Sequence, residues 1–150
     1  MRHINPYRKM RRRGVCAIIV TTKGELIFQH RSGDAEMYPG YLALFGGGLE
    51  EGESPFQGLC RELGEEVGSR VFPVHRLLNA AWHVKLRGRV KERIYDYTFV
   101  VVLEPWRLLR LKEGQGIKYV ARQKVSEYKF PPHEEQVLPM YLGEQQKLAA

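Results

Sequence analysis

Gly47-Gly48-Leu49-Glu50-Glu51-Gly52-Glu53 and, after seven intervening residues, Arg61-Glu62-Leu63-Gly64-Glu65-Glu66-Val67-Gly68-Ser69 form one stretch that gathers carboxylates beside a glycine-rich loop. A helix over Ser54 to Val67 puts Glu62, Glu65 and Glu66 at i, i+3 and i+4, so three acids share one face of adjacent turns. Like charges so placed repel by roughly 0.2–0.5 kcal/mol per pair. That cost has a purpose if a divalent cation sits among them. Oxygen-only donors select a hard cation, Mg²⁺ before Mn²⁺.

The opposite face explains how such a helix is held. Phe56, Leu59, Cys60, Leu63 and Val67 recur at helical spacing as an apolar stripe. Ser54 and Pro55 supply an N-cap and first turn, with Gln57 as the capping-box partner, and Gly68 supplies a stop. Gly58 and Gly64 each weaken a helix by about 1 kcal/mol relative to alanine, so tertiary packing has to hold this one. An ordinary amphipathic helix with a solvated acidic face accounts for the stripe. It leaves unexplained the Phe45-Gly46-Gly47-Gly48 run before it, where backbone has to approach something closely.

The stretch resembles the Nudix box of the Nudix hydrolases, G-x5-E-x7-R-E-U-x-E-E-x-G-U, at every fixed position except the last, where Ser69 replaces an aliphatic residue. The closest pattern is that of the MutT-type nucleoside triphosphate pyrophosphohydrolases. The resemblance implies an α/β fold, the Nudix α/β/α sandwich with a mixed β-sheet, the box loop and helix lying at one end of it.

Composition agrees with a single domain. The chain has 150 residues, 43% hydrophobic, and a net charge of +7. No apolar run reaches the roughly 18 residues expected of a membrane span, and no signal-type segment follows the basic N-terminus, so a cytoplasmic location is expected. Cys16 and Cys60 read as buried small hydrophobes. Arg2, Arg8, Lys9, Arg11, Arg12 and Arg13 concentrate the excess charge, which divides the chain into a basic arm, 1–13, and a Nudix domain, 14–150. The arm reads equally as a solvated tail and as a steering element for phosphates or RNA.

Along the chain, Val15 to Thr22 and Leu26 to His30 flank a Lys23-Gly24 turn as a hairpin, and Ala43 to Phe45 is a short strand delivering the glycines. Val71 to Ala81 and Glu92 to Leu103 form a second strand pair around the charged stretch Lys85 to Lys91. Asp96 and Thr98 give the first half of the later strand one wet face. Gly116 to Ala121 is a further strand, and Pro132 to Leu148 a helix interrupted near Pro139.

Hydrolysis of a pyrophosphate linkage needs charge neutralisation, a positioned water and a base. The resemblance implies Glu65, Glu66 and the Gly46 carbonyl as metal ligands. Glu62 has two readings, general base or ligand. Arg61 reads as orienting Glu53 or another box acid. Glu113, between Lys112 and Gly114, resembles a loop acid of MutT-type enzymes that binds metal or acts as base; a plain turn acid is the alternative. Arg31 matches a phosphate-contacting position. Glu134 stands where those enzymes read a purine with an asparagine, and its carboxylate cannot reproduce an amide's donor and acceptor pattern. A helix-start acid is its other reading. His83, His133 and Trp82 have no spacing that marks a metal or nucleophile site.

These residues point to Mg²⁺-dependent hydrolysis of a nucleoside diphosphate linked to a further group X, with nucleoside triphosphates as the leading substrates. An ADP-ribose or nucleotide-sugar pyrophosphatase is the enzymatic alternative. A non-catalytic nucleotide- or RNA-binding Nudix module is the other, and the intact acids argue against it.

Overall fold

The structure, a computed structural model, describes residues 11–67, 74–87, 89–103 and 116–149. Its centre is β1 (Arg11–Thr21). Strict alternation along this strand sends Val15, Ala17 and Ile19 into one apolar cluster and Cys16, Ile18 and Val20 into another. A strand buried on both faces reads as a continuous apolar run, which is why the sequence here shows no polar alternation.

β2 (Glu25–His30) returns through a turn in which Gly24 takes φ +83°, and the Thr21 hydroxyl accepts the Lys23 and Glu25 N–H groups at 3.3 and 3.2 Å. The expected hairpin forms, yet it pairs only at Ile19↔Ile27 and Val20↔Leu26. The earlier part of that edge of β1 belongs to β4 (Phe45–Gly48), in register from Ala17↔Phe45 to Gly14↔Gly48. A two-residue β3 (Leu42–Ala43) pairs with β2. On the other edge of β1, β6 (Val90–Leu103) runs parallel from Arg11↔Arg93 to Thr21↔Leu103, and β5 (Val74–Arg87) pairs antiparallel with β6. β7 (Ile117–Ala121) closes onto β2. The sheet is therefore mixed, with seven strands among the described residues.

α1 (Pro55–Val67) covers one face through Leu59 and Leu63, against Val15, Ile19, Phe45 and Phe99. A 3₁₀ turn (Arg122–Glu127) leads toward α2 (Pro132–Ala149), which covers the other face through Val137, Leu138 and Tyr141. The layers are α/β/α. Ser54 caps α1 as expected: its hydroxyl accepts the Gln57 N–H at 3.1 Å while Gln57 Oε1 accepts the Ser54 N–H at 2.9 Å.

Several expectations are corrected. β5 and β6 run through the charged stretch to Arg87 and from Val90, because opposite charges such as Lys85 and Glu92 face each other across the pair. α2 continues through Pro139, since that residue sits on the exposed side while its buried neighbours anchor the helix. Cys60 is only partly buried. Asp96 and Thr98 are buried rather than wet, because the start of α2 covers them. β1 begins at Arg11, so Arg11, Arg12 and Arg13 are strand residues within the segment read as an arm.

Candidate active site

Arg61, on the second turn of α1, organises the acids of the box. Its Nε and Nη2 donate to the two oxygens of Glu53 at 2.7 and 2.9 Å, its Nη1 donates to Glu62 Oε1 at 2.9 Å, and Nη2 also donates to the Gly48 carbonyl at 2.9 Å. This bidentate grip, joined by the Glu50 N–H donating to Glu53 Oε1 at 3.0 Å, holds the Glu53 carboxyl down at about 2. Glu62 and Glu53 are each 12% exposed at the side chain, whereas Glu65, one turn on from Arg61, is 61% exposed and 3.6 Å from its guanidinium. The Glu66 backbone continues the same turn; its side chain and all of Glu113 lie outside the described residues.

The glycines have a steric reason. A Cβ on Gly47 would collide with the Glu62 carboxylate, and one on Gly46 with the Val15 carbonyl. The loop is thus pressed against both the acids of α1 and the central strand. On its other side, Gly46, Gly47 and Gly48 wall a cleft of about 320 Å³.

Among the described residues, the cations Arg12, Arg13, Arg31 and Lys85 line that cleft. Arg12 pairs with Glu92 at 2.9 Å and Arg13 lies over the Tyr97 ring at 5.5 Å. Arg31 is steadied by donating Nε to the Met37 carbonyl at 3.0 Å. Glu134, at the start of α2, also lines the cleft, and burial pushes its carboxyl up while the Leu44 N–H and the Lys85 charge pull the other way. The floor is a polar cluster. His83 Nε2 meets Asp96 Oδ2 at 3.1 Å, the His83 and His133 rings stack at 3.9 Å, and His133 Nε2 lies 3.4 Å from the Thr98 hydroxyl and 3.8 Å from Cys16 Sγ. Burial drives His133 down to about 4, so its imidazole is neutral near pH 7.

An Arg-clamped acid helix packs under a glycine loop whose other side walls a cationic cleft, and the NUDIX domain family model matches residues 10–147. The chain belongs to the NUDIX family.

Its relatives include the 8-oxo-dGTP diphosphatase of Escherichia coli K12, 34% identical over 125 residues, covering 81% of this chain and 88% of that one. The RNA pyrophosphohydrolase of a Psychrobacter species is 34% identical over 107 residues, covering 68% and 57%. Nucleoside triphosphatase NudI of an Enterobacter species is 37% identical over 62 residues, covering 41% and 44%. The chain thus spans about half the length of these last two relatives. Among solved structures, the E. coli ORF135 protein superposes with a TM-score of 0.70 at 22% identity, covering 93% of this chain and 95% of that one. The MutT protein of Methanosarcina mazei Go1 gives 0.69 at 20%, covering 91% and 96%. These confirm the NUDIX fold.

Within this NUDIX domain the structure brings Glu53, Arg61 and Glu62 together against Gly47 and Gly48, and sets Arg31 and Glu134 with Gly46 on the walls of the cleft across the glycine loop from those acids. Sequence reasoning missed His83, Asp96, His133, Thr98 and Cys16 as a cluster. Asp96 and Thr98 share one face of β6 with core residue Val100, a signal that could have marked them as buried polar groups. Their partners come from pairings distant in sequence, such as Cys16↔Thr98.

Proposed function

We propose that this NUDIX protein hydrolyses the pyrophosphate linkage of nucleoside diphosphates linked to X, converting nucleoside triphosphates to monophosphate and pyrophosphate. The observation that carries the reading is the Arg61 clamp on Glu53 and Glu62, beneath the glycine wall of a cleft lined by Arg12, Arg13, Arg31 and Lys85. Polyphosphate has its countercharge there and the acids have their alignment.

The donors suit a hard divalent cation: Glu65, with Glu66 and the Gly46 carbonyl on the family pattern, offers oxygen only, which leaves Glu62 as the base. Mg²⁺ or Mn²⁺ held there supplies charge neutralisation and an acidified water. The chain supplies the rest. Arg61 keeps Glu53 ionised and turns Glu62 toward the loop, Glu62 takes the proton of the attacking water, Arg31 binds the phosphates, and Glu134 faces the base. A nucleotide panel with Mg²⁺ and product analysis tests this. Monophosphate plus pyrophosphate is the expected pair, and no turnover of any pyrophosphate-linked nucleotide rejects it.

Arg12 and Arg13 in the cleft wall, together with the Psychrobacter relative's name, favour a second reading in which the substrate is the 5′-triphosphate end of RNA. Comparing kcat/KM for a 5′-triphosphorylated oligonucleotide and the free nucleotide decides between them.

A further inference from the structure

The floor of the cleft carries donors of a different chemistry from the box. Cys16 Sγ, a carboxylate oxygen of Asp96 and a ring nitrogen of His133 all lie within 4.8 Å of one another. Specifically, His133 Nε2 is 3.8 Å from Cys16 Sγ and 3.7 Å from Asp96 Oδ2. A tetrahedral zinc ion with Zn–S of about 2.3 Å and Zn–N or Zn–O of about 2.0–2.1 Å holds its donors roughly 3.3–3.6 Å apart. These two separations are a few tenths of an ångström wider, and the third, Cys16 Sγ to Asp96, lies within 4.8 Å. The first two are too long for strong hydrogen bonds and close to what a central ion would set.

The surroundings point the same way. Asp96 is 8% exposed and its Oδ1 is buried without a hydrogen-bond partner among the described residues. A buried carboxylate with one oxygen unanswered is expensive, and a cation bound through either oxygen offsets the charge that makes it so. His83 Nε2–H donates to Asp96 Oδ2 at 3.1 Å and the Thr98 hydroxyl lies 3.2 Å from Cys16 Sγ, so both side chains orient donors as outer partners do. Sulfur and imidazole beside one carboxylate select a borderline-soft ion and disfavour Mg²⁺.

We propose that Cys16, Asp96 and His133 form a Zn²⁺ site at the floor of the cleft, separate from the acids of α1, with its fourth position open to the cleft. Binding converts the Cys16 thiol to a thiolate and releases its proton to solvent. The site goes beyond the proposed hydrolysis and stands or falls independently of it.

Cobalt is the probe. The full chain, freed of metal and held in excess Mg²⁺, is titrated with Co²⁺ and then with Zn²⁺, reading the near-ultraviolet thiolate-to-cobalt band and its displacement. One equivalent of Co²⁺ should give the band and Zn²⁺ should remove it. Asp96→Asn and His133→Gln should each weaken Co²⁺ binding, Cys16→Ala should abolish the band, and His83→Gln should weaken binding roughly 10-fold. Cys60→Ser and the Glu65→Gln/Glu66→Gln pair should leave the band intact. No band in the wild type, a band surviving Cys16→Ala, or a band lost in Cys60→Ser or in the double glutamine variant would overturn the site. Metal-free melting curves identify any variant that fails to fold, and Asp96→Asn carries the test if Cys16→Ala does.

Discussion

Arg61 grips Glu53 with two parallel hydrogen bonds, Nε to Oε2 at 2.7 Å and Nη2 to Oε1 at 2.9 Å, while its remaining Nη1 reaches Glu62 at 2.9 Å. One planar guanidinium therefore aligns two acids that come from a loop and a helix. Lysine cannot make that fork. Arg61→Lys should lower kcat by about 10- to 100-fold, or about 1.4–2.7 kcal/mol of barrier, with KM changed less. Steady-state kinetics on both forms checks it.

The same contact sets an acid limit on stability. Glu53 is held at about 2 against an ordinary 4.5, so ionised Glu53 stabilises the fold above pH 4.5, and that contribution drains away as pH falls toward 2. Glu53→Gln should lose this part of the pH dependence. Urea unfolding of both proteins between those pH values should show a shallower slope for the variant.

Glu62 and Glu66 should separate in their effects. Glu62→Gln should cut kcat by about 10² to 10⁴, roughly 3–5.5 kcal/mol, with modest change in metal affinity. Glu66→Gln should weaken metal binding markedly. Mg²⁺ or Mn²⁺ titrations of activity, with chelator abolishing turnover in every form, distinguish the two.

Neighbouring glycines should also differ. A Cβ at Gly47 meets the flexible end of Glu62, so Gly47→Ala should displace that carboxylate and cost activity in a folded protein. A Cβ at Gly46 meets backbone of β1, so Gly46→Ala should instead destabilise by about 1–3 kcal/mol. Thermal melts and kcat, measured together, assign each loss.

If Arg2, Arg8 and Lys9 steer polyanions, deleting residues 1–10 should leave kcat intact and lower kcat/KM most at low salt. Deletion through Arg13 should destabilise as well, since it removes the pairings to Arg93, Ile94 and Tyr95 and the Arg12 contact with Glu92. Elsewhere in the cleft lining, burial raises the Glu134 carboxyl, so its ionised form costs stability, and that cost grows as pH rises through its folded value. Glu134→Gln should melt higher at neutral pH. The wild type should show no strong preference for an oxidised guanine triphosphate over GTP or dGTP, and Glu134→Asn should shift relative kcat/KM among purines more than metal dependence.

Helical spacing put Glu62, Glu65 and Glu66 on one face and the resemblance to the family's box singled out Glu53 and Arg61 beside them, because residues on one helix and the loop before it are related by the fixed geometry of local backbone. The apolar stripe, the Ser54 and Gln57 capping box and the first hairpin were legible for the same reason. Parallel pairing of β1 with β6 was not, since residues 82 positions apart, such as Cys16 and Thr98, meet only when the whole sheet assembles. That pairing, closed over by the start of α2, buries Asp96, gathers His83, His133 and Cys16 around it, and turns Arg12 and Arg13 from an apparent tail into the wall of a cleft. Local chemistry follows from the order of residues along the chain. Burial and cross-strand neighbours are properties of the packed sheet, where nonlocal hydrophobic contacts choose which polar side chains must answer one another.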